Sequence, residues 1–332
     1  MSNLEAAPVE VACSAAATAD IEVLQPREVP LGGPRALRVQ RTLPQRKRSL
    51  IGAWCFIDHY GPVPARMDVA PHPHTGLQTV SWLFSGEVEH RDSAGVHAIV
   101  RPGELNLMTA GAGICHSEVS IESGPNPLLH GVQLWVALPG TARNAGRDFA
   151  HYAPEPVLLA GGQVRVFLGE LAGSRSPVHT FSPLLGAQVD LGANATLDID
   201  IDPTFEHGVL CDVGDVEMGG IALTVGDLGY QGPGHHTVHL RNVAGGPARV
   251  LLLGGAPFAE ELVMWWNFVG RSHDDIVSYR QQWQDADGGP GDRFGAVRGY
   301  QGAVSRLPAP PLPTTRLRPR RVSPPSNRKE SL

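Results

Sequence analysis

The sequence has 332 residues, of which 42% are hydrophobic and 18% are charged. This composition is typical of a globular protein with a core of its own, and the length allows two domains of ordinary size. The formal net charge of −6 argues against nucleic-acid binding. No run of 18 or more apolar residues occurs, so we expect no membrane span.

The cysteine pattern and the start of the chain predict the cellular compartment. Cys13, Cys55, Cys115 and Cys211 are scattered and show no CxxC spacing, which is typical of free thiols in a reducing compartment. The chain does not open with a basic stretch followed by an apolar one, so we expect no secretory signal. The sequence therefore predicts a cytoplasmic protein.

The first part of the chain has the pattern of short strands separated by turns. Residues 1–20 are Ala-rich without periodicity and predict a flexible lead. Residues 51–60 predict a buried strand, and His59 near its end either lines a cavity or is an ordinary strand-end histidine. Alternating segments with turns near Gly86 and Gly103 follow. Glycine and proline, 39 and 29 residues, make up about a fifth of the chain and favour a closed fold of many short strands.

Two stretches in this region, PHPHTG and CHSEV, carry polar residues at the same i, i+2 spacing. The first contains His72 and His74, and the second contains His116 and Glu118. Alternate residues of a strand project from one face, so two such strands side by side bring three imidazoles and a carboxylate together. Histidines are also common in loops, but two pairs in apolar segments favour a metal site with nitrogen and oxygen ligands.

The second half of the chain repeats the pattern of the first. The segments around Gly214 and Gly226 resemble those around Gly86 and Gly103, at offsets of 128 and 123 residues. At these offsets the counterparts of the four candidate ligands are Asp200, Asp202, His239 and Arg241. An arginine at a ligand position repels a cation, so we expect the second copy to be a structural partner without metal. The predicted domains are residues 21–165 and 166–285.

A helix and a tail are predicted at the end of the chain. Ser272, with Asp275 three positions later, has the pattern of a capping box, and the apolar spacing that follows predicts a helix over residues 273–285. Trp265 and Trp266 just before it are expected to seal a core. Residues 286–332 are rich in Gly, Pro and Arg, and we expect this tail to be disordered.

Three segments, HPHTGLQTVSWLFSGEVEHRDSAG, RPGELNLMTAGAGICHSE and VMWWNFVGR, closely resemble the pirin family, a two-domain branch of the cupin superfamily. The resemblance covers about residues 20–285. It implies an all-β fold of two cupin (jelly-roll) β-barrels packed face to face, followed by the short helix. It also implies one metal ion in the first barrel, usually iron, with manganese, nickel or zinc as alternatives. The implied ligands are His72, His74, His116 and Glu118.

The same resemblance implies a dioxygenase that acts on flavonols such as quercetin or on related catechols, with a small aromatic substrate and dioxygen as its partners. We expect a monomer. Glu118 is the candidate base, and Phe56, Leu107 and Met108 are candidate apolar walls. Many pirins read HPHRGFE where this chain reads HPHTGLQ, so Thr75 and Gln78 change the charge beside the site.

Two other classes of function fit the same residues. One is an iron-dependent redox sensor that binds a transcription factor or a metabolic enzyme without turnover, in which Cys115 either adds thiol sensitivity or is a buried, inert cysteine. The other is a scaffold in which the metal only stabilises the fold.

Overall fold

The computed structural model of the chain describes residues 21–31, 37–64, 66–121, 127–289 and 291–319. The predicted lead, residues 1–20, and the end of the tail, residues 320–332, lie outside the described residues. The first twelve strands are β1 Ile21–Leu24, β2 Arg27–Leu31, β3 Leu37–Leu43, β4 Trp54–Pro64, β5 Asp68–His74, β6 Leu77–Ser85, β7 Glu87–Asp92, β8 His97–Val100, β9 Leu105–Thr109, β10 Ile114–Ile121, β11 Leu128–Ala137 and β12 Asp148–Tyr152.

The remaining elements form the second half of the fold and the end of the chain. They are β13 Val157–Leu159, β14 Gly162–Leu168, β15 Glu170–Leu171, β16 Ser174–Arg175, β17 Leu184–Leu191, β18 Thr196–Asp200, β19 Glu206–Val213, β20 Val216–Met218, β21 Ile221–Leu223, β22 Leu228–Gln231, β23 Thr237–Asn242, β24 Ala248–Gly255, β25 Val263–Trp265, β26 Phe268–Gly270 and α1 His273–Asp285. This helix is all of the α-helical structure among the described residues, and it is not long and apolar enough to cross a membrane.

Each half of the fold pairs a seven-stranded sheet with a four-stranded sheet. In the first barrel the large sheet has the order β12-β9-β6-β11-β4-β3-β2, and the small sheet has the order β5-β10-β7-β8. In the second barrel the orders are β1-β22-β19-β24-β17-β14-β13 and β18-β23-β20-β21. The two small sheets thus have the same strand order, and so do the central strands of the two large sheets. This confirms the predicted all-β fold of two cupin barrels.

The two large sheets pack against each other through one shared apolar core. Trp82 of β6 stacks on Phe167 of β14 with ring centroids 4.6 Å apart, and its Nε1–H donates to the side chain of Gln188 at 2.9 Å. Trp54 of β4 donates from Nε1 to the carbonyl oxygens of Leu185 and Gly254, both at 3.1 Å. Buried indoles with satisfied N–H groups therefore join the barrels face to face.

The division of the chain between the barrels differs from the predicted one. The expected boundary between residues 165 and 166 falls inside β14, a strand of the second barrel that pairs with β17. The switch from one barrel to the other instead lies between β12 and β13. In addition, β1 pairs with β22 of the second barrel, so the described part of the chain begins in the second barrel and then enters the first.

The predicted helix is confirmed, together with its start signal. Helix α1 begins after Ser272, whose side chain accepts a hydrogen bond from the backbone N–H of Asp275 at 3.1 Å, while the Asp275 carboxylate accepts from the N–H of Ser272 at 3.0 Å. The helix buries Ile276, Tyr279 and Trp283. These residues recur at helical spacing and pack with strands β25 and β26 on the outside of the first barrel.

The expectation of a disordered tail is wrong for residues 291–319. This segment has neither helix nor strand, yet Phe294, Leu307 and Ala309 are buried against the first barrel. The backbone N–H of Leu307 donates to the carbonyl of Pro71 on β5 at 2.8 Å, and its carbonyl accepts from Trp283 Nε1 at 2.8 Å. A few apolar residues and specific hydrogen bonds therefore fix a segment whose Gly/Pro-rich composition predicts no regular structure.

Candidate metal centre

Strands β5 and β10 form the centre of the predicted site. They pair antiparallel in a register that places His72 directly opposite His116 and His74 opposite Ile114. Because side chains alternate along a strand, His72, His74 and His116 all project from the same face, toward the large sheet of the first barrel. The opposite face, which includes Cys115, packs under the C-terminal segment.

The structure brings the three predicted imidazoles together. One ring nitrogen from each of His72, His74 and His116 lies within 4.8 Å of the other two, and Nε2 of His74 is 3.1 Å from Nε2 of His116. All three side chains are fully buried. Nitrogens about 2.1 Å from one ion and at right angles to each other lie about 3 Å apart, so the separation fits ligation of a single cation.

Burial also keeps these histidines in the form that binds metal. Loss of solvent lowers the pKa of His72 to about 3. The pKa values of His74 and His116 also lie well below the usual value, chiefly because of burial and further because of the neighbouring imidazoles. All three rings are therefore neutral at physiological pH, and neutral imidazole is the metal ligand.

Hydrogen bonds on the far side of the rings fix which nitrogen carries the proton. His72 donates from Nδ1 to the carbonyl of Ala70 at 2.9 Å, and His74 donates from Nδ1 to the carbonyl of Asn267 at 3.2 Å. Both Nε2 atoms then present lone pairs to the centre of the cluster, and Nε2 of His72 is buried with no hydrogen-bond partner among the residues that the structure describes. Converging lone pairs in a buried place repel each other unless a cation lies between them, so the donor set fits a metal ion.

His116 is held by two residues that the sequence analysis did not single out, His90 and Asp92 on β7. Nδ1 of His116 lies 3.4 Å from Nδ1 of His90, and Nε2 of His90 lies 3.2 Å from the Asp92 carboxylate. If His116 binds metal through Nε2, its proton is on Nδ1, so His90 accepts at Nδ1 and donates from Nε2 to Asp92. In this arrangement each N–H donor of the two histidines has an acceptor.

Glu118, the fourth predicted ligand, lies on the same strand two residues after His116. It is buried, and the pairing of β10 with β5 shifts register between His116 and Glu118, with one extra residue on β5. Its carboxylate is outside the group of atoms that lie within 4.8 Å of one another. It is nevertheless close enough to His72 to raise the pKa of that imidazole, against the larger effect of burial.

The face of the large sheet opposite the histidines is aromatic. Trp135 on β11 meets His74 edge-on with ring centroids 5.2 Å apart, and it stacks on Phe56 of β4 at 4.0 Å. Trp135 pairs across the sheet with Thr79, which in turn pairs with Met108. Phe56 and Met108 therefore belong to the wall that faces the histidines. Leu107, the third predicted wall residue, alternates to the other face, toward the second barrel.

Thr75 and Gln78 are the two residues where this chain reads HPHTGLQ instead of HPHRGFE. Gln78 adjoins Thr79 on β6 and so projects to the opposite face from the wall, where its Nε2 donates to Thr109 at 3.0 Å. Thr75 follows His74 directly and bridges to Phe268, and its carbonyl accepts from Val269. The strand β26 thus holds the end of the PHPHTG stretch in place.

His59 does not line the site, in contrast to one of the predicted alternatives. It faces the second barrel, where His59 and His130 each donate from Nε2 to Oδ1 of Asp212 at 2.7 Å. Arg249 binds the other oxygen of the same carboxylate. The two histidines and Asp212 have ligand atoms close enough for a metal ion, but the guanidinium of Arg249 would repel it. We therefore interpret this cluster as a hydrogen-bonded joint between the barrels.

The second barrel has different side chains at the corresponding positions. Asp198 and Asp200 on β18 and His239 and Arg241 on β23 are exposed. His239 pairs with Asp198, and Arg241 pairs with Glu217. The inward-facing residues of these strands are apolar: Leu197, Ile199, Val238 and Leu240. The predicted counterparts His239 and Arg241 are therefore displaced by one residue from the inward-facing positions, and a one-residue slip exchanges the faces of a strand.

Comparisons with known proteins agree with this architecture. The family model of Pirin matches residues 36–136, and the model of the Pirin C-terminal cupin domain matches residues 186–289. A Pseudomonas aeruginosa protein named "Putative quercetin 2,3-dioxygenase PA1205" is 43% identical over 86% of this chain and 89% of its own length. A pirin-like protein of Caulobacter vibrioides is 36% identical over 74% of this chain and 88% of its own length.

A solved structure extends the likeness to three dimensions. The crystal structure of a quercetin 2,3-dioxygenase from Acinetobacter baumannii superposes with a TM-score of 0.83 and 38% identity, covering 91% of this chain and 98% of that one. The extent of these matches over both barrels is much greater than a shared cupin fold requires. The chain belongs to the pirin family.

Proposed function

We propose that the protein is a metal-dependent dioxygenase that acts on flavonols such as quercetin or on related catechols. The observation that carries the proposal is the buried cluster of His72, His74 and His116 facing the aromatic wall of Trp135 and Phe56. The names of the Pseudomonas relative and of the Acinetobacter structure give the same reaction class.

The metal would be held by His72, His74 and His116, with Glu118 as the fourth ligand. Imidazole and carboxylate suit divalent iron, and also manganese, nickel or zinc, and a cupin site of four protein ligands leaves positions open. A metal ion in this site would supply a Lewis acid for a substrate oxygen and a redox centre for dioxygen. We favour Fe(II).

The residues of the chain supply positioning and proton transfer. The stacked rings of Trp135 and Phe56 orient a flat aromatic substrate beside the histidines. Glu118 accepts the proton of a substrate hydroxyl, since it is the carboxylate that follows His116 on the inner face of β10. The site is buried, so water is excluded, and electrostatic interactions between Glu118 and the substrate hydroxyl are stronger than they would be in solvent.

The redox-sensor alternative has no specific support from Cys115. This thiol is buried on the outer face of β10, under the C-terminal segment, and burial raises its pKa far above the usual value. A protonated, inaccessible thiol is a poor redox sensor.

The test is oxygen uptake by metal-loaded protein with quercetin. We expect uptake that is lost on chelation and lost in His74→Ala. The matched control is His239→Ala, which removes an exposed histidine from β23 of the second barrel, the counterpart of β10, and should leave uptake unchanged. Metal-loaded protein that consumes no oxygen with any flavonol or catechol would contradict the proposal.

A further inference from the structure

A row of polar side chains lies beside the aromatic wall on the same face of the large sheet. Gln133 of β11 pairs with Ser81 of β6, which pairs with Asn106 of β9. Ser81 donates its hydroxyl to Oε1 of Gln133 at 2.9 Å, so these two side chains project from one face. Trp135 lies two residues beyond Gln133 and therefore shares this face, the one that meets His74.

Several hydrogen-bonding groups of this row have no partner among the described residues. Within the part of the chain that the structure describes, both side-chain atoms of Asn106, Nδ2 and Oδ1, are buried and unpaired, as is Nε2 of Gln133. Asn106 is 3% exposed and Gln133 is 1% exposed. Nε1 of Trp135 is also buried and unpaired. Unpaired buried polar groups are costly in folded proteins, so four such atoms on one face of neighbouring strands indicate a ligand that pairs with them.

The chemistry of these groups defines the ligand. Three are N–H donors and one is a carbonyl acceptor, so the ligand presents mainly oxygen acceptors and at least one hydroxyl donor. The neighbouring Asp58, which pairs across the sheet with Gln133, is neutralised by Arg41, whose Nε donates to Oδ1 at 2.7 Å. Neutral amides next to a neutralised ion pair favour an uncharged ligand. The stacked rings of Trp135 and Phe56 favour a flat one.

We propose that Asn106 and Gln133 are specificity-determining residues that bind the hydroxyl and carbonyl oxygens of a neutral, polyhydroxylated aromatic substrate. They hold it against Trp135 from the sheet opposite the three histidines. This inference rests on the proposed function for the choice of substrate class. Binding without turnover tests it separately.

The experiment is an anaerobic titration of metal-loaded protein with quercetin and with unsubstituted flavone, which lacks the hydroxyl groups. In Asn106→Leu and Gln133→Met we expect the Kd for quercetin to rise about tenfold or more, because the hydroxyls lose their partners, while the Kd for flavone changes by less than about twofold. Metal content should equal that of the wild type. If Asn106→Leu does not fold, Asn106→Ala demands no new space and gives the same comparison.

The control is Gln231→Met. Gln231 lies in the second barrel, and its amide oxygen is also buried and unpaired among the described residues, so this variant removes similar chemistry away from the three histidines. It should leave both Kd values unchanged.

The outcomes separate the two proposals. Unchanged quercetin affinity in both variants would mean that water pairs with these amides, and would overturn the inference even if the enzyme turns quercetin over. Equal losses of affinity for quercetin and flavone would also overturn the inference, because the two residues would then affect only the shape of the site. A wild-type protein that binds no quercetin would overturn it as well. Selective loss of quercetin binding in a protein that consumes no oxygen would support the inference while the proposed function fails.

Discussion

His116 is positioned by a neighbour that has no place in the sequence motif. Its Nδ1 meets His90, and His90 in turn meets Asp92, whose other oxygen accepts the backbone N–H groups of Ala94 at 2.8 Å and Val96 at 3.1 Å. The turn after β7 thus holds the Asp92 carboxylate in place. Asp92 in turn determines which ring nitrogens of His90 and His116 carry the protons. Loss of such an outer partner of a metal ligand typically lowers metal affinity by about 10- to 100-fold.

The variant Asp92→Asn tests this arrangement at the scale of single atoms. The amide keeps an oxygen for the turn but offers an N–H to His90, so His90 would present Nδ1–H to the Nδ1–H of His116. We expect metal affinity to fall about 10- to 100-fold, measured by competition with a chelator. The control is His97→Ala on the neighbouring strand, an exposed histidine paired with Glu89. Equal affinity of Asp92→Asn and the wild type would show that the chain of hydrogen bonds does not position His116.

At the scale of elements, the small sheet of the first barrel depends on segments far away in sequence. Asp68 on β5 accepts a hydrogen bond from the hydroxyl of Tyr300 at 2.7 Å, and Pro71 accepts from the backbone of Leu307. The hairpin of β25 and β26 supplies the carbonyl of Asn267 to His74. The strand that carries His72 and His74 is therefore held on its outer side by the C-terminal segment.

Leu307→Ala measures how much this segment contributes to stability. Leu307 is buried, and we expect the free energy of unfolding to fall by about 2–3 kcal/mol, because truncation of a buried leucine leaves a cavity. Leu158→Ala is the control, since that side chain is 79% exposed. Denaturant unfolding gives both values. A loss no larger than that of the control would mean that the segment does not pack on the barrel in solution.

The sequence predicts the strands and the helix better than it predicts the contacts between elements that are distant in sequence. The HxH spacing predicted the three histidines because alternation along a strand is local. His90 joins them only through the pairing of β7 with β10, and Asn267 only through a hairpin almost 200 residues from His74. The repeat was detected from turn glycines, but its offset misplaced His239 by one residue, because a glycine at a turn does not fix the register of the next strand.

At the scale of the whole molecule, the two barrels meet through a charged group as well as an apolar core. Asp212 of the second barrel accepts hydrogen bonds from His59 and His130 of the first. Burial alone would raise the pKa of Asp212. The hydrogen bonds from His130 and His59 and the charge of Arg249 outweigh that effect and hold the pKa well below its usual value.

This depressed pKa makes the joint sensitive to acid. A carboxylate whose pKa is lower in the folded than in the unfolded state stabilises the fold above the unfolded pKa of about 4, and this contribution is lost as the pH falls below that value. We expect Asp212→Asn to lower the free energy of unfolding at pH 7 by about 3 kcal/mol, because it breaks a buried charge network.

Denaturant unfolding at pH 7 and at pH 3 measures how the contribution of Asp212 to the free energy of unfolding changes with pH. The difference in stability between wild type and Asp212→Asn should narrow at the lower pH. Asp198→Asn, which removes an exposed carboxylate paired with His239, should show little effect at either pH. A constant difference between wild type and Asp212→Asn over this range would contradict the account of the joint.

The central claim is that His72, His74 and His116 hold one metal ion in the first barrel. Anomalous scattering from a crystal of iron-loaded protein, recorded on both sides of the iron absorption edge, tests it most directly. We expect one strong peak per chain within about 2.3 Å of Nε2 of all three histidines. Metal-loaded protein with no peak among these three atoms, or with its peak at His59, His130 and Asp212 instead, would contradict it.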